Sequence, residues 1–232
     1  MPVISLEDTI NVIHSDDFDK LSVDELENLI PKFGMNDEAL GEMPNTLSEY
    51  FGKGIKMWQY PIQLAPYIKW LQTLNVKSYL EIGIRWGGNF ILISEVLMKH
   101  NPNIKLYACD LMPKSDILEI YDNYTDYTYL HMRSDSPEFK TFVDNNDIEM
   151  VFIDGNHDYE GCSYDFRLFE NNPNTKYIVF HDISHGGLGV IKLWNEIKND
   201  PRFEYIEFAQ QYPNELKEWS GDFLGIGVLI RK

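Results

Sequence analysis

The chain has 232 residues, 44% hydrophobic and 14% aromatic, which is enough for one α/β domain with a sizeable core and too apolar for a disordered chain. Its 37 acids against 20 basic residues leave a formal charge of −17, which argues against a nucleic acid or an anionic membrane surface as partner. The two cysteines, Cys109 and Cys162, lie in separate segments, so neither a disulfide framework nor a CxxC site is expected, and a reducing cytoplasmic setting fits.

The first residues, MPVISLEDTINVIHSDDF, lack the basic start and long apolar core of a secretion signal. No run reaches the roughly 18 apolar residues of a membrane span. Residues 1–75 read as a helical extension, a candidate lid or dimer contact. Ser22 and Glu25 form an S-x-x-E capping box ahead of LENLI, and Pro31 and Gly34 end that helix. Residues 36–45 read as an acidic loop. Ile62 to Leu74 has helical periodicity, with Pro66 near its first turns.

From residue 76 onward the pattern alternates strictly. Strand SYLEIGI leads to a helix over Asn89 to Lys99, and strand IKLYACD to a short helix over Lys114 to Tyr121. Strand YTYLHM is followed by a helix over Ser136 to Asn145, and strand EMVFID by a helix over Tyr159 to Phe169. Strand KYIVFHD precedes a helix over Val190 to Lys198. Strands FEYIEF and FLGIGVLIR close the chain with only a polar loop between them. Apolar strands alternating with helices predict a doubly wound, mostly parallel sheet, and the last two strands form an antiparallel hairpin. Seven strands and five helical crossovers are expected over residues 76–232.

Ligands of open α/β sheets bind at the carboxyl ends of the strands. The first strand ends in Glu81-Ile82-Gly83, and Gly87 and Gly88 then open a helix. Glycine there allows a tight turn and close approach to the main chain, and the free N–H groups of the helix face a ligand. The second strand ends in Asp110, an acid able to accept from both hydroxyls of a ribose. After the third strand, Ser134 and Asp135 are candidates for an adenine amino group, although S-D-S is also an ordinary helix cap. The fourth strand ends in DGNHD, with Asp154 and His157, and the fifth in His181-Asp182. Two carboxylates beside imidazole suit Mg²⁺ or another divalent ion, and His157 has the titration range of a general base. Gly186-Gly187-Leu188-Gly189 lacks the Lys-Ser/Thr of a phosphate loop and reads as a rim loop.

With these residues in view, the chain resembles a class I S-adenosylmethionine (SAM) methyltransferase over about Gln59 to Arg231. FIDGNHDYEGCSYDF and IVFHDI resemble more narrowly the subgroup of macrocin-type sugar O-methyltransferases and cephalosporin-hydroxylase-like proteins. The resemblance implies a Rossmann-like sheet of order 3-2-1-4-5-7-6 with the last strand antiparallel. It implies that Glu81, Gly83, Gly87, Gly88 and Asn89 surround the methionine part of SAM. Asp110 would hold the ribose, Asp135 the adenine side, and Asp154 would border the cofactor. Asp154, His181 and Asp182 would hold Mg²⁺ or a similar ion, with His157 as base. His181 stands where metal-dependent members often carry an acid, and Arg85 replaces the middle glycine of the commoner turn. The implied activity is SAM-dependent O-methylation of a small hydroxylated acceptor, a sugar or glycosylated natural product first among them. Two alternatives are a non-catalytic SAM-fold binding protein and a nicotinamide-dependent oxidoreductase; the second needs G-x-G-x-x-G, and this chain has GIRWGG. The helical N-terminus is also a candidate homo-oligomer surface.

Overall fold

Strand β1 (Ser78–Ile82) is buried along its whole length and lies in the interior of the sheet. The computed structural model of the chain describes residues 3–38 and 40–232; Met1, Pro2 and Ala39, which fall within the predicted 1–75 extension, lie outside them. The remaining strands are β2 (Lys105–Asp110), β3 (Thr128–His131), β4 (Met150–Ile153), β5 (Tyr177–Phe180), β6 (Phe203–Phe208) and β7 (Ile226–Arg231). Their order is β3-β2-β1-β4-β5-β7-β6, as the resemblance implies, with β1 to β5 parallel and β7 antiparallel to both neighbours.

Five helices make the crossovers: α4 (Gly88–His100), α5 (Asp116–Tyr121), α6 (Pro137–Asn145), α7 (Tyr159–Phe169) and α8 (Gly189–Ile197). Ser115, Ser136 and Asp158 cap α5, α6 and α7, each side chain accepting from a backbone N–H three residues on. Ahead of the sheet come α1 (Leu6–His14), α2 (Val23–Leu29) and α3 (Pro61–Leu71), and the capping box of Ser22 and Glu25 starts α2.

All the strands but β6 are shorter than the sequence suggests, and for two of them the reason is visible in the backbone. β5 stops at Phe180 because Asp182 adopts φ +61°. β7 begins at Ile226 because Leu224 and Gly225 have φ +58° and +99°. Such left-handed residues cannot continue a ladder.

The sheet buries a core on each face. One lies beneath α6, α7 and α8 and takes in Val151 with its cross-strand partners Leu80 and Ile178. The other runs without a break from Leu6 of α1, through Leu64 and Ile68 of α3, to Phe90 of α4 and Val228 of β7. The N-terminal residues therefore share a core with the sheet. Gly88 shows how closely they dock: a Cβ there would lie 2.3 Å from the Ile55 carbonyl oxygen. No helix among the described residues is long and apolar enough to cross a membrane.

Candidate active site

Parallel pairing puts the carboxyl ends of β1, β2, β4 and β5 on one rim. Gly83 N donates to Cys109 O (2.8 Å), Asp154 N to Ile82 O (2.8 Å) and His181 N to Ile153 O (3.1 Å). These ends, the β3–α6 loop and the N-terminal residues Asn36, Glu42, Lys56 and Trp58 enclose a cavity of about 710 Å³. That is within the range of small-molecule sites. Four non-glycine residues among the described ones have left-handed backbone: Lys56, Arg85, Asp182 and Leu224. All four line this cavity. Strained backbone gathered at one cleft is a pointer to function.

On the β1 side, Gly83 (φ +84°) lies against the Asp154 carbonyl, where a Cβ would come within 2.1 Å. A Cβ on Gly87 would strike Leu118, so Gly87 and Gly88 are required by protein packing as well as by any ligand. Glu81 is buried, and its carboxylate accepts from the Tyr79 hydroxyl. Burial pushes its carboxyl up to about 8. Asp110 accepts from Arg85 N and Met112 N, both at 2.8 Å, so it pins the glycine turn and its own loop. A carboxylate has about four acceptor sites, which leaves room for ribose hydroxyls. Asn89 donates to Trp58 O at 3.4 Å, and its own Oδ1 is buried without a partner.

At the third strand the structure places Asp135 in a two-point ion pair with Arg133, both bonds 2.7 Å, on the cavity margin. A residue not singled out by the sequence lies deeper. Asp165 of α7 is 1% exposed and lines the cavity. Only its helical spacing on a buried face pointed to it.

At β4 and β5 four side chains converge. His157 Nε2 is 3.2 Å from Asp154 Oδ1, and its Nδ1 is 3.4 Å from Asp182 Oδ2. His181 Nδ1 is 3.0 Å from Asp154 Oδ1 and 3.3 Å from Asp182 Oδ1. Behind His181 the amides are fixed in orientation. Gln63 Nε2 donates to the carbonyls of Gln210 and Phe223, and Gln63 Oε1 accepts from Gly225 N and Gln59 Nε2. Gln59 therefore turns its oxygen to His181 Nε2, which must carry a proton. Burial works against a charged His181, but the charges of Asp154 and Asp182 outweigh it and hold the imidazole well above its usual range. Asp182 is held below the usual carboxylate range; burial opposes this, and the His181 charge overrides it. His157 is raised by its hydrogen bond to Asp154.

Asp154, His157 and Asp182 offer one donor atom each within 4.8 Å of one another, and Asp182 Oδ1 is buried with no hydrogen-bond partner. Two carboxylates and an imidazole so placed fit a divalent ion. His181 lies on the far side of the carboxylates, its Nε2 committed to Gln59.

Comparison with known proteins falls on this region. Residues 80–183 match the family model described as a methyltransferase domain. The match covers less than half of the chain. It contains Glu81, the glycine turn, Asp110, Asp154, His157, Asp165 and both residues of the His181-Asp182 pair. No curated protein matches the chain. Among solved structures, the SAH-bound methyltransferase PaMTH1 of Podospora anserina is similar at 15% identity over 76% of this chain and 80% of that one, with a TM-score of 0.52. Precorrin-6y C5,15-methyltransferase of Geobacter metallireducens is similar at 13% identity, over 76% and 90%, with a TM-score of 0.50. Cofactor-bound Rv0187 from MTB is similar at 11% identity, over 76% and 82%, with a TM-score of 0.50. These likenesses show the fold.

Proposed function

We propose that the chain is a SAM-dependent O-methyltransferase of a small hydroxylated acceptor, with a sugar or glycosylated natural product as the leading class. The observation that carries the reading is one cavity. It joins the glycine turn and Asp110, suited to an adenosyl group, to the Asp154–His157–Asp182 cluster, suited to activating a hydroxyl. The sugar assignment is supported by the FIDGNHDYEG and IVFHDI motifs and by the polar rim beside Trp58 and Trp86.

SAM would supply an electrophilic methyl group on sulfonium. Asp110 accepts from the ribose, and Glu81 and Asn89 bracket the polar end of the cofactor. Asp154 and Asp182 would hold a divalent ion, which when bound would lower the pKa of an acceptor hydroxyl. His157 faces the cavity with 42% of its side chain exposed. In its neutral form it takes the proton as the acceptor oxygen attacks. His181, buried and charged, holds the two carboxylates apart and in place. The left-handed turn at Asp182 and the docked N-terminal segment fix the acceptor side, so that oxygen, methyl carbon and sulfur align.

The test is a thermal-shift titration with SAM, SAH and NADH, followed by an acceptor screen with methyl-labelled SAM read by mass. Stabilisation by SAM and SAH and labelled product from a hydroxylated acceptor are expected. Stabilisation by NADH alone would overturn the reading. SAH binding without methyl transfer to any acceptor would favour a binding protein.

A further inference from the structure

Gln59 and Gln63 are fully buried, and neither takes part in the chemistry described above. Burying a primary amide is costly unless its donors and its acceptor find partners. Gln63, in α3, finds them on backbone. Its Nε2 donates to the carbonyls of Gln210 (2.9 Å) and Phe223 (3.2 Å), and its Oε1 accepts from Gly225 N (3.1 Å). Gln63 thereby fastens the connection between β6 and β7 to α3. The side chain of Gln59 is bonded instead to two side chains, Gln63 behind it and His181 in front.

The direction of this chain of amides is set at its far end. Flipping Gln63 would turn its Nε2 onto the Gly225 N–H and its Oε1 onto two carbonyls, so its orientation is fixed. Gln59 Nε2 must then donate to Gln63 Oε1, which leaves Gln59 Oε1 for His181. Asp154 and Asp182 would accept from either imidazole nitrogen, so the carboxylates alone do not decide which one faces them. Gln59 does. It takes Nε2–H, whatever the charge on the ring, and Nδ1 lies 3.0 Å from Asp154 Oδ1 and 3.3 Å from Asp182 Oδ1. His157 touches the same two carboxylates from the cavity side, at 3.2 and 3.4 Å. A ring on each side thus spaces Asp154 and Asp182, and the inner ring is the one anchored from behind.

We propose that Gln59 is a positioning residue for this cluster: held by Gln63, it locks the His181 ring with Nδ1 toward Asp154 and Asp182, and so sets the carboxylate spacing that a divalent ion needs. The inference rests on the reading of Asp154, His157 and Asp182 as an ion site. It gives the N-terminal segment a part in the chemistry, since Gln59 lies ahead of α3 and reaches His181 across 122 positions of sequence. Hydrogen-bond partners that orient the groups of a metal site are worth roughly 10–100-fold in metal affinity.

The experiment joins long-range ¹H–¹⁵N NMR of the His181 ring to a titration of Mn²⁺ followed by EPR, in wild type, Gln59→Leu and Gln59→Glu. Leucine keeps the bulk and removes the acceptor; glutamate keeps an oxygen for Nε2. In wild type the spectrum should show a proton held on Nε2. A bare Nε2 would overturn the proposal, and that result needs no variant to fold. Gln59→Leu should lose the fixed pattern and bind Mn²⁺ roughly 10–100-fold more weakly, with SAH affinity by calorimetry nearly unchanged. Gln59→Glu should restore both the His181 pattern and most of the Mn²⁺ affinity. A Gln59 that only fills space would lower the thermal stability of Gln59→Leu and leave its His181 spectrum and Mn²⁺ affinity as in wild type, which would also overturn the proposal. If wild type binds no Mn²⁺, the ion-site reading falls. The His181 spectrum of Gln59→Leu then still decides whether Gln59 holds the ring.

Discussion

His157 and His181 face the same two carboxylates, and their remaining surroundings separate their roles. His181 is buried and held from behind by Gln59, whereas His157 opens to the cavity. Replacing His157 by alanine should lower kcat by about 10²–10⁴-fold, the usual range for a general base, with SAH affinity nearly unchanged. Turnover within a few-fold of wild type would exclude the base role. Mn²⁺ titration into the same variant adds a separate reading: binding retained leaves the ion to Asp154 and Asp182, and binding lost makes His157 a ligand. Asp182→Asn should abolish both Mn²⁺ binding and turnover while sparing SAH. Asp110→Ala should cost about 1–3 kcal/mol in SAH binding by calorimetry. It should also lower thermal stability, because two backbone N–H groups lose their acceptor. The strand-end residues were legible in the sequence because an acid or histidine closing an apolar run has one place to go. Gln59 and Asp165 were not. Gln59 lies in a loop with no periodicity to mark it as buried, and the helical spacing that puts Asp165 on a buried face carries no chemical signal.

At the scale of elements, the alternation of strands and helices was enough to place α7 and β6, and the family resemblance put β7 between β5 and β6. What it did not show was the docking of the N-terminal segment. Beside the shared core, part of that contact is made by backbone: Gly88 at the start of α4 lies against Ile55 and Met57, which leaves no periodic signal in the sequence. The contact gives a sharp test. Gly88→Ala would drive a Cβ to 2.3 Å from the Ile55 carbonyl, a clash with main chain that no rotamer relieves. It should cost about 1–3 kcal/mol or more in denaturant unfolding and weaken SAH binding, because the same turn lines the cavity. Gly186→Ala is the control, since a Cβ there meets nothing within 4 Å. Equal stability of the two variants would mean that the N-terminal segment does not bear on α4 in solution.

For the whole molecule the relevant balance is between its buried acids and its net charge. Glu81 is raised from 4.5 to about 8 and Asp165 from 3.8 to about 6, both mainly by burial. A raised carboxyl means that the folded state keeps a proton which the unfolded chain has already released. The unfolded state then binds fewer protons, so stability falls as pH rises, from about 4 until each folded pKa is passed. His181 acts in the same direction: its imidazole is raised, so its contribution is full below 6.5 and is lost as pH climbs through the folded value. Asp182, held low, contributes a constant amount across this window and loses it only in acid. The ligand-free protein should therefore unfold at lower denaturant at pH 8 than at pH 5.5. Self-repulsion of a chain with charge −17 has the same sign, but salt screens it and leaves the buried groups largely untouched. The decline should persist at high ionic strength. Glu81→Gln, whose amide oxygen can still accept from Tyr79, should flatten it between pH 6 and 8, and Asp165→Asn should flatten the part below 6. A stability that rises from pH 5.5 to 8, or a slope that both variants leave intact, would show that these carboxylates are not buried as the fold places them.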